Sequence, residues 1–312
     1  MNKAIPVFVH VPKNGGTYIY NSIRAAARFF LKKICELDPS NFSDSDDFRF
    51  IYRHDKKFPL REINIQEDGK VVFTIFSTDK IENFLEKNNF VETDESIYYI
   101  DLSDDRIKNI ISDSDIFAAI VQPRGIKHLK YEVFENFFCL SDKNIFTFYF
   151  PLRDPVERLK SLFFYLKSEN SRHEPTHGMY KSSTFEEFII NEAPDNWIVR
   201  EFSNEKNDEI PFSEEKFAEF LSSINRKAFL FYSIDEIDKM IDKAFKIYGF
   251  SFIKDVPKSL KEMLVKYNSN NKNNWSYEKN ESTESTEDIK KLYAEKLNQK
   301  TLYEYRLFQF IL

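Results

Sequence analysis

The feature that most constrains this chain is its opening. An apolar run over residues 4–11 stops at Asn14-Gly15-Gly16 and gives way to helical spacing over 17–33. The alternation through Val7, Phe8, Val9 and Val11 predicts a buried strand, and Ile19, Ile23, Ala26, Ala27, Phe30 and Leu31 fall on one side of a helix. A strand, a tight turn and a helix make the first half of a βαβ unit. Such a start commits the chain to a layered fold in which the turn lies at the carboxyl edge of a sheet.

The rest repeats the theme. Strand-like runs are expected at 71–76, 96–102, 116–121, 145–152 and 228–232. Helical patterns are expected at 79–88, 128–138, 155–167, 213–224, 235–248 and 287–312. Pro155 opens one helix where its missing N–H costs little. Thr184 with Glu187 three residues on forms a capping box at the head of another. Residues 36–65 are polar and give no clear pattern, 168–183 read as a polar loop, and 268–286, rich in Asn, Ser, Glu and Thr, read as a further loop. Strands alternating with helices predict an α/β fold with a mainly parallel sheet flanked by helices, as one domain over 1–312 with an insertion at about 36–112.

Charge and cysteine content narrow the chemistry. A net charge of −6 argues against a broad nucleic-acid surface, which needs a basic excess. Cys35 and Cys139 are too few for a disulfide framework, and no Cys/His spacing of a zinc site appears, so no metal is expected. No stretch approaches the roughly 20 apolar residues of a membrane helix. With no charged leader ahead of the first strand, the expectation is a cytoplasmic protein without a membrane segment.

The first turn reads His10-Val11-Pro12-Lys13-Asn14-Gly15-Gly16-Thr17. Adjacent glycines let the backbone approach an anion closely. The helix start aims free N–H groups and the positive end of its dipole at the turn. Lys13 adds a mobile positive charge, and Thr17 a hydroxyl. The lysine precedes the glycines, so this is not a Walker A loop. The plain alternative is an ordinary strand-to-helix turn with a surface lysine.

A second turn follows the strand at 145–152. It reads Pro151-Leu152-Arg153-Asp154-Pro155-Val156-Glu157-Arg158-Leu159-Lys160-Ser161. Arg153 sits at a strand end, where a guanidinium can grip a phosphate with two N–H groups. Ser161 lies two helical turns on and can donate a hydroxyl to the same group. Asp154 is placed to cap the helix, and Arg158 to pair with a carboxylate of the fold. Here the plain alternative is a capping turn with a salt bridge.

Pro12, Lys13, Gly15, Gly16 and Thr17 resemble the 5′-phosphosulfate loop of carbohydrate sulfotransferases, close to PKxGGTS, with Tyr18 in place of a small residue. The second turn resembles that family's 3′-phosphate motif, LRDPVERxxS. The chain is nearest in pattern to the heparan sulfate 2-O-sulfotransferase branch. His128-Leu129-Lys130-Tyr131 resembles that branch's histidine-bearing run, although Ile126 stands where the branch has a second histidine. Thr184-Phe185-Glu186-Glu187-Phe188, the pair Asn196 and Arg200, and Leu302-Tyr303-Glu304-Tyr305 through Phe310 resemble further segments of the family. Residues 36–112 match nothing in it.

The resemblance implies a P-loop NTPase-like sulfotransferase architecture. It implies a sulfuryl donor, 3′-phosphoadenosine 5′-phosphosulfate (PAPS), and a hydroxyl-bearing acceptor, expected to be a saccharide. Pro12, Lys13, Asn14, Gly15, Gly16, Thr17 and Tyr18 would hold the 5′-phosphate, and Arg153 and Ser161 the 3′-phosphate. Lys13 would stabilise charge on the leaving phosphate. A base must take the hydroxyl proton, and His128 is the first choice. A carboxylate such as Glu174 is the alternative base, His173 and His177 lie in a loop suited to acceptor contact, and His10 is expected to be a packed group beside the first turn. Two rivals stand beside this reading: a non-catalytic nucleotide- or glycan-binding protein on the same fold, and a P-loop kinase.

Overall fold

The computed structural model describes residues 3–11, 15–35, 60–78, 97–105, 107, 116–121, 144–167, 181–203, 211–225, 229–256, 258, 261–262 and 287–311. Seven strands form one sheet: β1 (Lys3–Val9), β2 (Leu60–Glu67), β3 (Lys70–Thr78), β4 (Ile97–Asp101), β5 (Ile116–Val121), β6 (Asn144–Leu152) and β7 (Phe229–Ser233). Their order across the sheet is β4-β2-β3-β5-β1-β6-β7. β1 pairs in parallel with β5 and β6, β6 with β7, and β2 with β4. β3 runs antiparallel to both its neighbours, β2 and β5. The fold is therefore α/β with a mostly parallel, mixed sheet.

The helices are α1 (Gly16–Cys35), α2 (Pro155–Lys167), α3 (Phe185–Asn191), α4 (Trp197–Ser203), α5 (Glu214–Asn225), α6 (Ile237–Phe245), α7 (Phe252–Asp255) and α8 (Glu287–Ile311). Short 3-10 turns, Ile234–Glu236 and Lys246–Tyr248, flank α6, and Gly249 ends it in the left-handed region at φ 68°. The single helix expected over 235–248 is thus an α-helix with a tightened turn at each end.

Strand periodicity divides the core. Ile5, Val7 and Val9 of β1, with Phe148, Phe150 and Leu152 of β6, face α4, α5 and α8 through Ile198, Val199, Phe217, Phe220, Tyr303 and Leu307. Phe8 and Tyr149 face the other way, onto Ile19, Ile23 and Ala26 of α1 and Met240, Ile241 and Phe245 of α6. A third cluster joins Leu159, Phe163 and Leu166 of α2 to Phe188 and Ile189 of α3, with Tyr293 and Leu297 of α8 packed against it. Helices thus cover both faces of the sheet.

The expected strands at 71–76, 96–102, 116–121, 145–152 and 228–232 all lie in this sheet, within a residue or two of their ends. β2, which the sequence pattern left open, is a further strand. The turn from β2 to β3 is Asp68-Gly69, with φ 51° and 70°. Two successive positive values suit the tight hairpin that Asp-Gly favours. The expected helices at 79–88 and 128–138, and the loops at 168–183 and 268–286, fall wholly or largely outside the described residues.

Candidate functional site

The chain leaves β1 and β6 at the same edge of the sheet. The two strands are neighbours in register, from Lys3 beside Asn144 to Phe8 beside Tyr149. After β1 the chain turns into α1 and goes on to β2, toward one side of the sheet. After β6 it turns into α2 and returns at β7, toward the other side. β1 and β6 therefore flank the point where strand order reverses. Connections that diverge there leave a crevice beyond the strand ends, the usual ligand position in open α/β sheets. The described parts of the two turns singled out in the sequence, Gly15 and Gly16 after β1 and Arg153 and Asp154 after β6, lie at this point.

In the first turn, Gly15 has φ 79°, a conformation that L side chains rarely adopt. A Cβ there would also sit 2.6 Å from Ile234 Cδ1 and 3.0 Å from Ile237 Cδ1, at the end of β7 and the start of α6. A Cβ on Gly16, the first residue of α1, would fall inside the His10 imidazole, on Cδ2 and Nε2. His10 is half-buried, and its backbone N–H donates to Val121 O of β5 at 2.8 Å. The expected packed role of His10 is what the geometry displays: its ring is a wall of the turn. Sequence reasoning had no signal for Ile234 and Ile237, which arrive from more than two hundred residues away.

Tyr18 turns inward. It is 5% exposed, and its hydroxyl donates to Asp238 Oδ1 at 2.6 Å. Burial, then the Asp238 hydrogen bond, hold that hydroxyl well above the ordinary phenol value. Tyr18 thus ties the first turn of α1 to α6. Further along α1, Arg24 Nε and Nη2 donate to Glu62 Oε1 and Oε2 of β2 at 2.5 and 2.8 Å, and the Tyr20 hydroxyl donates to the same carboxylate.

The second turn is built from polar contacts. Asp154 Oδ1 accepts from the backbone N–H of Val156 at 2.9 Å and of Glu157 at 3.0 Å, the cap expected of it. Asp154 Oδ2 accepts from the Tyr305 hydroxyl of α8 at 2.9 Å. Arg153, between the strand end and this cap, is half-buried, as is Ser161 on α2.

Arg158, fully buried, does pair with a carboxylate of the fold: its Nη2 lies 2.9 and 2.8 Å from Glu304 Oε1 and Oε2. Glu304 Oε1 also accepts from the Ile198 backbone N–H at 2.8 Å. The guanidinium lies 5.4 Å from the centre of the Trp197 ring. Asn196, at φ 43°, locks onto the same helix: its Nδ2 donates to Gln299 O, and its Oδ1 accepts from Tyr303 N, each at 2.8 Å. Arg200 pairs with Asp195. Two segments picked out by resemblance, the second turn through Arg158 and the Asn196 segment, thus anchor the third, α8.

The capping box at Thr184 is present, and hydrogen bonds from Ser183 hold the Glu187 carboxyl below its usual range. Pro12, Lys13, Asn14, His128, His173, Glu174 and His177 lie outside the described residues, as does the Thr17 side chain. What the described residues bring together is Gly15 and Gly16 on one strand end with Arg153 and Asp154 on its neighbour. Among the described residues no three His, Cys, Asp or Glu side chains gather as a metal site, and no helix is long and apolar enough to cross a membrane. No family model, curated protein or solved structure matches the chain.

Proposed function

We propose that this chain is a sulfotransferase on a P-loop NTPase-like fold, moving a sulfuryl group from PAPS to the hydroxyl of a saccharide acceptor. One observation carries the reading: the two motif-bearing turns open side by side at the switch point between β1 and β6. A turn suited to a 5′-phosphate and a strand-end arginine suited to a 3′-phosphate are then presented to one nucleotide.

In this reading the backbone N–H groups of residues 14–17 hold the 5′-phosphate at the start of α1, where the helix dipole favours an anion. Arg153 and Ser161 take the 3′-phosphate, which ATP lacks. The acceptor oxygen attacks sulfur in line, the bond from sulfur to the bridging phosphate oxygen breaks, and adenosine 3′,5′-bisphosphate leaves. Lys13 meets the charge that grows on that phosphate. His128 takes the hydroxyl proton. The products are a sulfate ester and the bisphosphate.

The test has two stages. Calorimetric titration is expected to give tighter binding of adenosine 3′,5′-bisphosphate than of ATP, and ATP preference with Mg²⁺ would favour a kinase instead. Transfer of radiolabelled sulfate from PAPS is then screened over a panel of saccharides. Transfer that is lost in Lys13→Ala and His128→Ala, with bisphosphate binding kept in the latter, supports the roles given. Nucleotide binding without transfer to any acceptor would leave a binding protein on this fold.

A further inference from the structure

We infer that Tyr305, on the last helix, is a positioning residue that sets selectivity for the nucleotide's 3′-phosphate by fixing the turn that presents Arg153. The inference rests on the donor site proposed above. Its basis is the way two consecutive residues of α8 divide the work on the second turn.

Glu304 and Tyr305 are about 100° apart around their helix, so they reach different targets. Glu304, 2% exposed, points into the core and receives Arg158 and the Ile198 N–H. Tyr305, half-buried, reaches the rim and donates to Asp154 Oδ2. Arg158 N donates to Asp154 O at 2.9 Å, so these two contacts fall one turn apart on the same helix start. Glu304 secures the helix body, and Tyr305 secures its cap.

Asp154 is the link to the ligand. Its Oδ1 is held by two N–H donors of α2, and the phenol engages its Oδ2. A carboxylate engaged at both oxygens has one orientation, and the peptide joining it to Arg153 has little freedom. A guanidinium grips a phosphate with two N–H groups only when its stem is aimed correctly. The hydroxyl of Tyr305 is kept protonated by burial first and by Asp154 second, which push its pKa up to about 12, so it donates throughout the neutral range.

With that phenol donor removed, Asp154 Oδ2 loses the contact that fixes it. The carboxylate can then leave its one orientation, and the turn no longer aims the Arg153 guanidinium at a phosphate. The 5′-phosphate turn, walled by His10, Ile234 and Ile237, shares none of these contacts. The loss should therefore fall on the 3′-phosphate alone.

The experiment compares the full chain with Tyr305→Phe by calorimetry, using adenosine 3′,5′-bisphosphate and adenosine 5′-monophosphate. The ratio of their affinities is expected to fall about fivefold to tenfold in the variant, the scale of one hydrogen bond to a charged group. Affinity for the monophosphate should change less than about twofold. Tyr303→Phe, on the same helix and away from Asp154, should leave the ratio unchanged, and Asp154→Asn, which weakens the same contact, should lower it even if Tyr305→Phe does not fold. An unchanged ratio in Tyr305→Phe, or an equal loss for both nucleotides, overturns the inference while the donor site stands. A wild-type chain with no preference for the bisphosphate overturns both.

Discussion

The two turns at the switch point are shaped by opposite means. The turn after β1 is fenced by side chains that leave no room: Ile234 and Ile237 against Gly15, and the His10 ring against Gly16. The turn after β6 is tied by hydrogen bonds and charge: the Asp154 cap, the Tyr305 hydroxyl and the Arg158–Glu304 pair. Steric fencing fixes a backbone path by leaving no space for a side chain on it. Polar tethering fixes a side chain's root, which suits a turn whose contribution is a guanidinium. In the proposed donor site, a turn that binds through main chain and one that binds through a side chain need different kinds of support.

The largest expected effect breaks the polar half. Glu304→Ala leaves the Arg158 guanidinium buried without its carboxylate, and such a loss costs about 3–5 kcal/mol. Chemical denaturation should read it directly. The double variant Arg158→Met with Glu304→Leu should recover most of that stability, because an apolar pair of similar volume removes the stranded charge. A single variant as stable as the wild type would show that the second turn does not depend on its ion pair.

A smaller effect tests the fence. Gly16→Ala places a methyl inside the His10 ring and should destabilise by about 1–3 kcal/mol, the usual cost of overpacking. Removing the ring should repair it. His10→Ala with Gly16→Ala is expected to be more stable than Gly16→Ala alone, a coupling that a melting-temperature cycle detects. Additive losses would mean that the ring is not the wall.

The smallest effect sharpens the contrast. Tyr18→Phe removes the polar tie between the first turn and α6 and should cost about 1 kcal/mol, since the ring stays packed and one hydrogen bond is lost. If Tyr18→Phe cost more than Gly16→Ala in denaturant midpoints, the first turn would be tethered rather than fenced.

The sequence carried the layered fold because strands and helices here keep their own periods. β2 was the exception, and the reason is physical. Leu60-Arg61-Glu62-Ile63-Asn64-Ile65 has a polar look, yet Arg61, Glu62 and Asn64 are all buried. Glu62 is met by Arg24 of α1, and Asn64 accepts from Thr74 Oγ1 of β3 at 2.8 Å. Buried polar residues with partners elsewhere cannot be told from a loop by local pattern. The antiparallel β3 was legible from its apolar run over 71–76, and Asp68-Gly69, a hairpin signal, is the one cue in the sequence that points to β2. At the site, the cap of Asp154 and the pairing of Arg158 were legible from residue type and position. Which carboxylate Arg158 would choose was not, because Glu304 is 146 residues away.

The position of β1 in the sheet has a consequence for how the protein acquires its shape. β2 and β3 meet across a two-residue turn, whereas β1 is flanked by strands that begin at Ile116 and Asn144. Contacts so remote in the chain close slowly, because a long loop must be ordered before they repay it. β1, made before both its neighbours, is thus among the last strands to be enclosed, and until then Val7, Phe8 and Val9 stand as an open edge that another chain can join. The glycine turn that follows it takes its final form only when β7 and Ile234 arrive, so a truncated or nascent chain carries the motif without the cradle.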